Sequence, residues 1–209
     1  MLIYIIMFVI AYAIGSINFS VILSKKMAGF DIREKGSGNA GSTNMLRSVG
    51  KKAAAITLVC DILKGIASII IGIIVGNIFS NADKAVVVQA AGLGVVIGHT
   101  FPIFFGFKGG KGVATSLGLI IFINWKIGLI CLIIGVLIIA ITKMVSAGSI
   151  IAAILFAILT IFIHTGYIVE GNYIIFGILL ASFVIFNHRE NLKRLIQGKE
   201  NKISFSKKK

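Results

Sequence analysis

The stretch GHTFPIFFGFKGGKGVAT, residues 98–115, lies between two apolar runs and contains the only proline of the chain. Its Lys-Gly-Gly-Lys-Gly core, residues 108–112, carries few side chains and many backbone N–H groups. Glycine lets the backbone adopt φ > 0 and come close to a ligand. Two lysines beside such a loop, with a helix predicted directly after it, are typical of an anion-binding site. We therefore expect this loop to bind a phosphate group.

The composition indicates an integral membrane protein. Hydrophobic residues make up 57% of the 209 residues, whereas a soluble domain is about 45–50% apolar even when glycine is counted. The two cysteines, Cys60 and Cys131, lie in apolar runs without a spaced Cys or His partner. The spacing therefore predicts neither a disulfide nor a metal site, and we expect no cofactor.

Apolar runs predict an all-α protein with seven transmembrane helices in a single domain, residues 1–209. The runs are 2–23, 53–75, 85–101, 113–124, 127–142, 144–163 and 172–187. A span needs roughly 20 apolar residues, so the run at 113–124 is short. A five-span arrangement, which merges or discounts the two short runs, is the alternative. Lys25 and Lys26 follow the first run, which favours an uncleaved helix over a signal peptide.

The positive charges indicate the orientation in the membrane. Of the 21 Lys and Arg residues, 18 lie in segments 24–52 and 102–112, at Lys143, and in the basic tail from about residue 188. Either helix count places these segments on one side, and Lys and Arg gather on the cytoplasmic side of membrane spans. We therefore expect the N-terminus outside and the C-terminus in the cytoplasm. The net charge of +14 then reflects orientation, and no nucleic-acid partner is predicted.

A second glycine-rich run, GSGNAGSTNMLR at 36–47, lies in the first cytoplasmic segment. Ser42 or Thr43 is predicted to cap a short helix that carries Arg47. The arginine guanidinium is a planar fork that suits bidentate phosphate binding. Taken alone, this run is interpreted equally well as a solvated loop rich in helix caps.

The loop at 108–112 is not a Walker A motif. That motif needs a glycine where Phe105 stands and a Ser or Thr where Gly112 stands. The sequence therefore disfavours nucleotide hydrolysis and leaves phosphate binding open. A tight turn between spans would explain the glycines but not the two lysines among them.

The third polar motif is Asn187-His188-Arg189-Glu190-Asn191, at the cytoplasmic end of the last span. On a helix, His188 and Asn191 would share a face. A lone histidine at a helix C-terminus is usually a favourable contact with the helix dipole. Beside two loops that suit phosphate, His188 becomes a candidate orienting group or base.

Further polar and small residues lie inside the predicted spans. Asp61 and Lys64 are three residues apart on one helix face, and intramembrane ionisable residues favour a functional role. Pairing with each other is an equally good explanation. His99 is predicted to brace the glycine loop. The G-x-x-x-G pairs at Gly72/Gly76 and Gly94/Gly98 predict close helix packing.

The three motifs together resemble the bacterial membrane acyl-phosphate:glycerol-3-phosphate acyltransferases. The matching pieces are 36–47, 98–115 and 187–191, and Asp61-Ile62-Leu63-Lys64-Gly65 resembles a further element of the family. The resemblance covers the whole chain in order. It departs from the family at Asn18 and Ala40, where proline is frequent.

The resemblance implies a seven-span enzyme of bacterial phospholipid synthesis in the plasma (inner) membrane, with its active site facing the cytoplasm. The implied reaction moves a fatty acyl group from acyl phosphate to the 1-hydroxyl of glycerol 3-phosphate. Its products are 1-acylglycerol 3-phosphate (lysophosphatidate) and phosphate. The implied partners are the two substrates and membrane lipids. An acyl phosphate is already activated, so neither a covalent enzyme intermediate nor a metal is expected.

The resemblance also implies roles for individual residues. Ser37, Arg47 and Lys111 would clamp the phosphate of glycerol 3-phosphate, while His188 and Asn191 would orient its hydroxyls. The backbone of the glycine loop would hold the acyl-phosphate head group. The implied substrate-binding residues are Gly36, Gly38, Asn39, Asn44, Lys108, Gly109, Gly110, Gly112, Thr115 and Glu190. The base is either His188 or the departing phosphate.

Two other classes of protein fit the sequence less well. A transporter of phosphorylated molecules tends to bind substrate near the midplane and to show repeat symmetry, whereas these motifs gather at one face without a repeat. A scaffold that binds anionic lipid through a basic tail leaves the first and third motifs unexplained.

Overall fold

The computed structural model describes residues 1–163 and 173–203, in which every regular element is a helix. The ten α-helices are α1 (Leu2–Gly15), α2 (Phe19–Ala28), α3 (Ser42–Ser48), α4 (Lys51–Ile78), α5 (Lys84–Thr100), α6 (Val113–Ile123), α7 (Trp125–Thr142), α8 (Val145–Phe162), α9 (Tyr173–Asn187) and α10 (Arg189–Ile196). Short 3-10 turns cover Ile32–Glu34 and Ile103–Phe105. The all-α prediction is confirmed. The predicted link at 164–171 and residues 204–209 of the predicted tail lie outside the described residues.

Within residues 1–163 and 173–203, helices of spanning length and composition are fewer than the seven predicted. Five of them qualify: Leu2–Ala28, Lys51–Ile78, Lys84–Phe105, Trp125–Thr142 and Val145–Phe162. A sixth is reached if α9 and α10, which are bent by 64° at their junction, count as one span. Helix α6 is apolar but has only 11 residues, and much of it is buried against its neighbours. The structure thus shows an integral membrane fold, while seven spans and the orientation of the termini stay predictions.

The predicted first span, residues 2–23, lies within the spanning segment Leu2–Ala28, but it is not one continuous helix, because the chain breaks at residues 16–18. Helix α1 ends at Gly15 and α2 begins at Phe19, with Asn18 as its N-cap. The Asn18 side chain accepts a hydrogen bond from the N–H of Val21 at 3.1 Å. Asparagine is a favoured N-cap because its side chain satisfies a free N–H of the first turn. The departure from proline at this position therefore supplies a cap that proline lacks.

Glycines let α1 and α5 pack backbone against backbone, as the G-x-x-x-G pattern predicts. A Cβ on Gly94 would collide with the carbonyl of Phe8, and one on Gly98 with the carbonyl of Tyr12. The packing prediction is confirmed for this pair of glycines. As a result, the C-terminal end of α5 lies beside the break between α1 and α2.

Helix α4 packs in the same way on the start of α6. A Cβ on Gly65 would collide with the carbonyl oxygen of Thr115, and one on Gly118 with the carbonyl of Ile62. The short helix α6 is therefore fixed by α4 directly after the glycine loop. This contact sets the position of the loop relative to the rest of the bundle.

Candidate active site

The glycine loop returns along the end of α5. The N–H of Gly109 donates to the carbonyl of Thr100 at 3.0 Å, and the N–H of Gly110 donates to the carbonyl of His99 at 3.1 Å. Gly112 then adopts φ 86° and is the N-cap of α6, a left-handed conformation that favours glycine. Lys111 is thereby held between the end of α5 and the N-terminus of α6. The prediction that His99 braces the loop is confirmed.

The first glycine-rich run docks on this loop. The N–H of Ala40 donates to the carbonyl of Gly109 at 3.3 Å, and the Asn39 side chain donates to the same oxygen at 3.5 Å. The short helix predicted to carry Arg47 is present as α3. Its predicted N-cap at Ser42 or Thr43 is wrong, because Gly41 is the N-cap and no side chain caps the helix.

The third motif reaches the loop through side chains. Lys111 Nζ donates to Asn191 Oδ1. Asn191 Nδ2 donates in turn to Glu200 Oε1 at 2.8 Å, and Arg194 Nε donates to Glu200 Oε2 at 2.9 Å. Asn191 is 7% exposed, so these contacts take up most of its polar surface. The three motifs, which are distant in the sequence, therefore meet around Lys111.

His188 is fixed at the junction of α9 and α10. It follows the last residue of α9 and is the N-cap of α10, and its side chain is buried. His188 Nδ1 lies 2.8 Å from the carbonyl oxygen of Val184. Because a carbonyl only accepts, this contact assigns the proton of the neutral ring to Nδ1 and leaves Nε2 as an acceptor.

The cluster carries more positive than negative charge. Burial and the charge of Arg194, with smaller contributions from Arg47 and Arg189, together lower the pKa of Lys111 to about 8 against the opposing charge of Glu200. Burial also lowers the pKa of Arg47, against the opposing charge of Glu200. Like charges held close together favour an anion that binds among them. The charges of this cluster therefore favour an anionic ligand.

Arg47 is attached to the cluster only loosely. Its Nη2 donates to the carbonyl oxygen of Asn201 at 3.4 Å, and its side chain is exposed. Ser37 is likewise exposed, and its N–H donates to Asn44 Oδ1 at 3.0 Å. Both side chains are therefore accessible to a soluble ligand.

Asn44, predicted to bind substrate, is occupied by the protein itself. Its Nδ2 donates to the carbonyls of Ile32 at 3.1 Å and Lys35 at 2.9 Å, while its Oδ1 accepts from Ser37. The side chain is 1% exposed. Gly36 and Gly38 adopt φ of 60° and 70° beside it. These three residues therefore determine the conformation of the loop, and the Asn44 side chain has no free polar group for a ligand.

Three other predicted binding residues lie away from the cluster around Lys111. Glu190 pairs with Lys193 at 3.2 Å on the exposed side of α10. Thr115 is fully buried, with its backbone against Gly65 of α4. Lys108 has an exposed side chain, and its carbonyl accepts from Arg33 Nη1 at 3.4 Å. Glu190 thus forms a surface ion pair and Thr115 packs against α4 in this structure, and their roles in substrate binding stay predictions.

Two residues that hold the candidate site together, Arg33 and Glu200, were not predicted from the sequence. Arg33 binds Asp31 at 2.7 Å and also donates to the carbonyl of Phe105, which fastens the first loop to the segment after α5. The hydrogen bond from Arg33 lowers the pKa of Asp31 to about 2. The other missed residue is Glu200, and a signal for it exists, because it is the single acidic residue after Asn191.

The chain is similar to known proteins along nearly its whole length. The family model described as glycerol-3-phosphate acyltransferase matches residues 5–198. A glycerol-3-phosphate acyltransferase of Clostridioides difficile (strain 630) is 44% identical over 200 residues, covering 96% of this chain and 95% of that protein. One of Thermoanaerobacter pseudethanolicus is 45% identical over 197 residues and covers 93% of each.

Solved structures show the same fold. The crystal structure of PlsY, an integral membrane glycerol 3-phosphate acyltransferase, in its glycerol 3-phosphate form gives a TM-score of 0.84 at 33% identity and covers 96% of each chain. The lysophosphatidic acid form of PlsY gives a TM-score of 0.80 at 34% identity, with 96% of this chain covered and 95% of that one.

Proposed function

Because the chain belongs to the glycerol-3-phosphate acyltransferase family, we propose that its acyl donor is acyl phosphate and its acceptor the 1-hydroxyl of glycerol 3-phosphate. The products are 1-acylglycerol 3-phosphate and inorganic phosphate. The observation that carries the proposal is the meeting of three motifs at Lys111, which contacts Asn191 and follows a loop held by Ala40. Two phosphate-bearing substrates need such a concentration of cations and free N–H groups.

The phosphate of glycerol 3-phosphate binds between Arg47, Lys111 and Ser37. Arg47 and Ser37 are exposed donors on the first cytoplasmic segment, and Lys111 is half-buried among positive charges. A guanidinium gives two parallel hydrogen bonds to a phosphate, and an ammonium gives a point charge. His188 Nε2 and Asn191 orient the glycerol hydroxyls from the other side.

The phosphate of the acyl donor binds at the glycine loop. Gly112 is the N-cap of α6, and the first N–H groups of a helix are free to bind an anion. Residues 109, 110 and 112 lack side chains, and a Cβ at any of them would collide with His99 or Val96, so glycine lets the loop take this course in front of α6. The N–H groups in the first turn of α6 stabilise the charge that develops on the departing phosphate, as in other sites with preorganised donors.

The acyl chain lies in an apolar groove between α5 and α9. The cavity there is about 200 Å³ and is lined by Leu93, Val96, Ile97, Leu179, Leu180 and Phe183. Val96 also packs beside Gly112, since a Cβ on that glycine would lie 2.8 Å from Val96 Cγ1. The groove therefore leads to the loop that holds the donor phosphate.

The reaction needs positioning and charge stabilisation more than it needs a reactive side chain. The 1-hydroxyl oxygen attacks the carbonyl carbon of acyl phosphate, the bond from this carbon to the phosphate oxygen breaks, and the phosphate leaves. The hydroxyl proton passes to His188 Nε2 or to the departing phosphate. Holding the two substrates in line accounts for a large part of such a rate enhancement.

The enzyme is a multi-pass protein of the bacterial plasma membrane, and its active site faces the cytoplasm. Arg47, Lys111 and His188 all lie in or next to the segments that hold most of the Lys and Arg residues. Such segments stay on the cytoplasmic side. A soluble, charged acceptor then reaches the site from the cytosol, and the donor reaches it from the lipid.

Donor choice tests the proposal. Purified protein is given glycerol 3-phosphate with acyl phosphate, or with acyl thioesters of the same chain length, and lysophosphatidate and phosphate are measured. We expect product with acyl phosphate and a rate at least about 10²-fold lower with thioesters, which lack the phosphate that the loop binds. Equal use of a thioester would refute the donor assignment. Uptake of glycerol 3-phosphate into vesicles without any product would favour a transporter instead.

A further inference from the structure

A buried ionic cluster of Asp61, Lys64 and His99 lies inside the helical bundle and is not used by the proposed reaction. Lys64 Nζ is 3.0 Å from Asp61 Oδ1, and His99 Nδ1 is 3.4 Å from the same oxygen. The three residues are between 2% and 5% exposed. Ionisable groups within membrane helices are costly to bury and mark functional positions. We therefore expect the cluster to have a function.

One side of the cluster stabilises the break between α1 and α2. Lys64 Nζ donates to the carbonyls of Gly15 and Ile17, each at 3.0 Å. Backbone carbonyls that a helix break leaves free in a bilayer need a partner inside the protein. Lys64 supplies that partner, and Asp61 balances its charge.

The other side of the cluster reaches the glycine loop. The carbonyl of His99 accepts from the N–H of Gly110 at 3.1 Å. The imidazole lies against the same glycine, because a Cβ on Gly110 would collide with His99 Nε2. Since Asp61 faces Nδ1, the proton of the neutral ring belongs on Nδ1, and the acceptor Nε2 faces the loop.

Helix α4 thus holds the loop from both ends. Asp61 of this helix contacts His99 before the loop, and Gly65, one turn later, packs on Thr115 after it. Lys111 lies between the two held ends. A displacement of His99 would therefore move Gly110 and, with it, the neighbouring Lys111.

We propose that Asp61 is a positioning residue, which fixes the tautomer and the placement of His99 and thereby the loop that carries Lys111. Asp61 itself does not touch substrate. The kinetic consequence rests on the proposed function, whereas the structural consequence for His99 does not.

The first test removes the whole ion pair. The double variant Asp61→Leu/Lys64→Met exchanges two buried charges for apolar groups, a change that proteins often tolerate, and it also removes the donor to the carbonyls of Gly15 and Ile17. We expect a folded protein whose kcat/KM falls about 10²-fold, because small displacements of a site cost that much. The matched control Cys60→Ala, on the same helix, keeps wild-type kinetics. Full activity of the double variant would overturn the proposal.

A second variant covers the case in which the double variant does not fold. His99→Asn keeps a donor that can face Asp61 but takes the ring away from Gly110. We expect the same loss of about 10²-fold in kcat/KM. We also expect that His99→Asn adds little further loss to the double variant, since the changes act through one contact. Independent, multiplying losses would contradict the proposal.

The readout that separates positioning from mere stability is the tautomer of His99. Nitrogen-15 NMR of imidazole-labelled protein should show the proton on Nδ1 in the wild type and a shift toward Nε2 in the double variant. The same tautomer in both proteins would overturn the proposal. The measurement needs no substrate, so a wild type inactive with acyl phosphate would refute the proposed donor without deciding the role of Asp61.

Discussion

The backbone N–H of Ala40 donates to the carbonyl oxygen of Gly109 at 3.3 Å, and this bond joins two glycine-rich segments that are distant in the sequence. It is a main-chain contact, so the bond itself occupies no side chain of either segment. On the other side of the loop, the contact is made by side chains, from Lys111 to Asn191. The loop is therefore held by a main-chain bond on one side and by a side-chain bond on the other.

Gly110→Ala should slow turnover strongly. The new Cβ would collide with His99 Nε2 and would lie 3.0 Å from the carbonyl oxygen of Ala40, so the loop must separate from one of its two supports. We expect a loss of at least about 10²-fold in kcat/KM, the cost of a displacement near 1 Å. The control is Gly135→Ala, where the nearest atom to the new Cβ is 3.4 Å away. Wild-type kinetics for Gly110→Ala would refute the placement of the loop.

Arg47→Ala should lower phosphate release by about 10²–10³-fold, the usual cost of one preorganised donor to a developing charge. Arg47→Lys should recover only part of the rate, because an ammonium cannot give two parallel hydrogen bonds to phosphate. The control is Lys52→Ala, an exposed cation in the first turn of α4. If the folded Arg47→Ala variant kept the wild-type rate while retaining its melting temperature, Arg47 would not bind substrate.

The pH dependence of kcat/KM should report Lys111. Its pKa of about 8 is below the ordinary lysine value of about 10.4, so the side chain is charged below pH 8 and neutral above it. Binding of glycerol 3-phosphate is then strongest below pH 8 and is lost as the pH rises through that value. Lys111→Arg stays charged and should remove this alkaline limb, whatever its effect on the rate at lower pH. If the fall of kcat/KM at alkaline pH were unchanged in Lys111→Arg, a group other than Lys111 would cause it.

Glu200→Ala should destabilise the protein, because Glu200 binds Asn191 and Arg194 in the cluster around Lys111. Although burial opposes its ionisation, hydrogen bonds from Asn191 and the charge of Arg194 keep the pKa of Glu200 below its usual value. Without it the buried Asn191 amide loses its acceptor, which costs about 1–3 kcal/mol of stability.

The kinetic effect of Glu200→Ala follows from the same contacts. Loss of its negative charge should move the alkaline limb to lower pH, since Glu200 raises the pKa of Lys111. Thermal unfolding in detergent and the pH profile measure the two effects. Glu34→Ala, at an exposed position, serves as the control. If the alkaline fall of kcat/KM moved to higher pH instead, the assigned interaction between Glu200 and Lys111 would be contradicted.

The helices could be predicted from the sequence because each apolar run must satisfy its own backbone in lipid, which only a helix does. The break at residues 16–18 could not, since its stability depends on Lys64, a residue on another helix. Likewise the 11 residues of α6 are apolar like a span, and only packing on α4 shows how so short a helix is held.

The site could be predicted as three motifs on one face, because charge and glycine spacing are properties of the sequence. Which polar side chains are free could not be predicted in the same way. Asn44 resembles a ligand-binding residue, yet its amide is used up by Ile32, Lys35 and Ser37. Glu200 reaches Asn191 only because the chain turns back after α10.

The most direct test that the acyl group, and not the phosphoryl group, is transferred uses glycerol 3-phosphate labelled with oxygen-18 in the 1-hydroxyl. Purified protein converts it with acyl phosphate, and mass spectrometry locates the label. The account predicts one lysophosphatidate and one phosphate for each acyl phosphate consumed, with all of the label in the ester oxygen and none in the released phosphate. Label in a new phosphate ester, or phosphate released without any acyl ester, would contradict it.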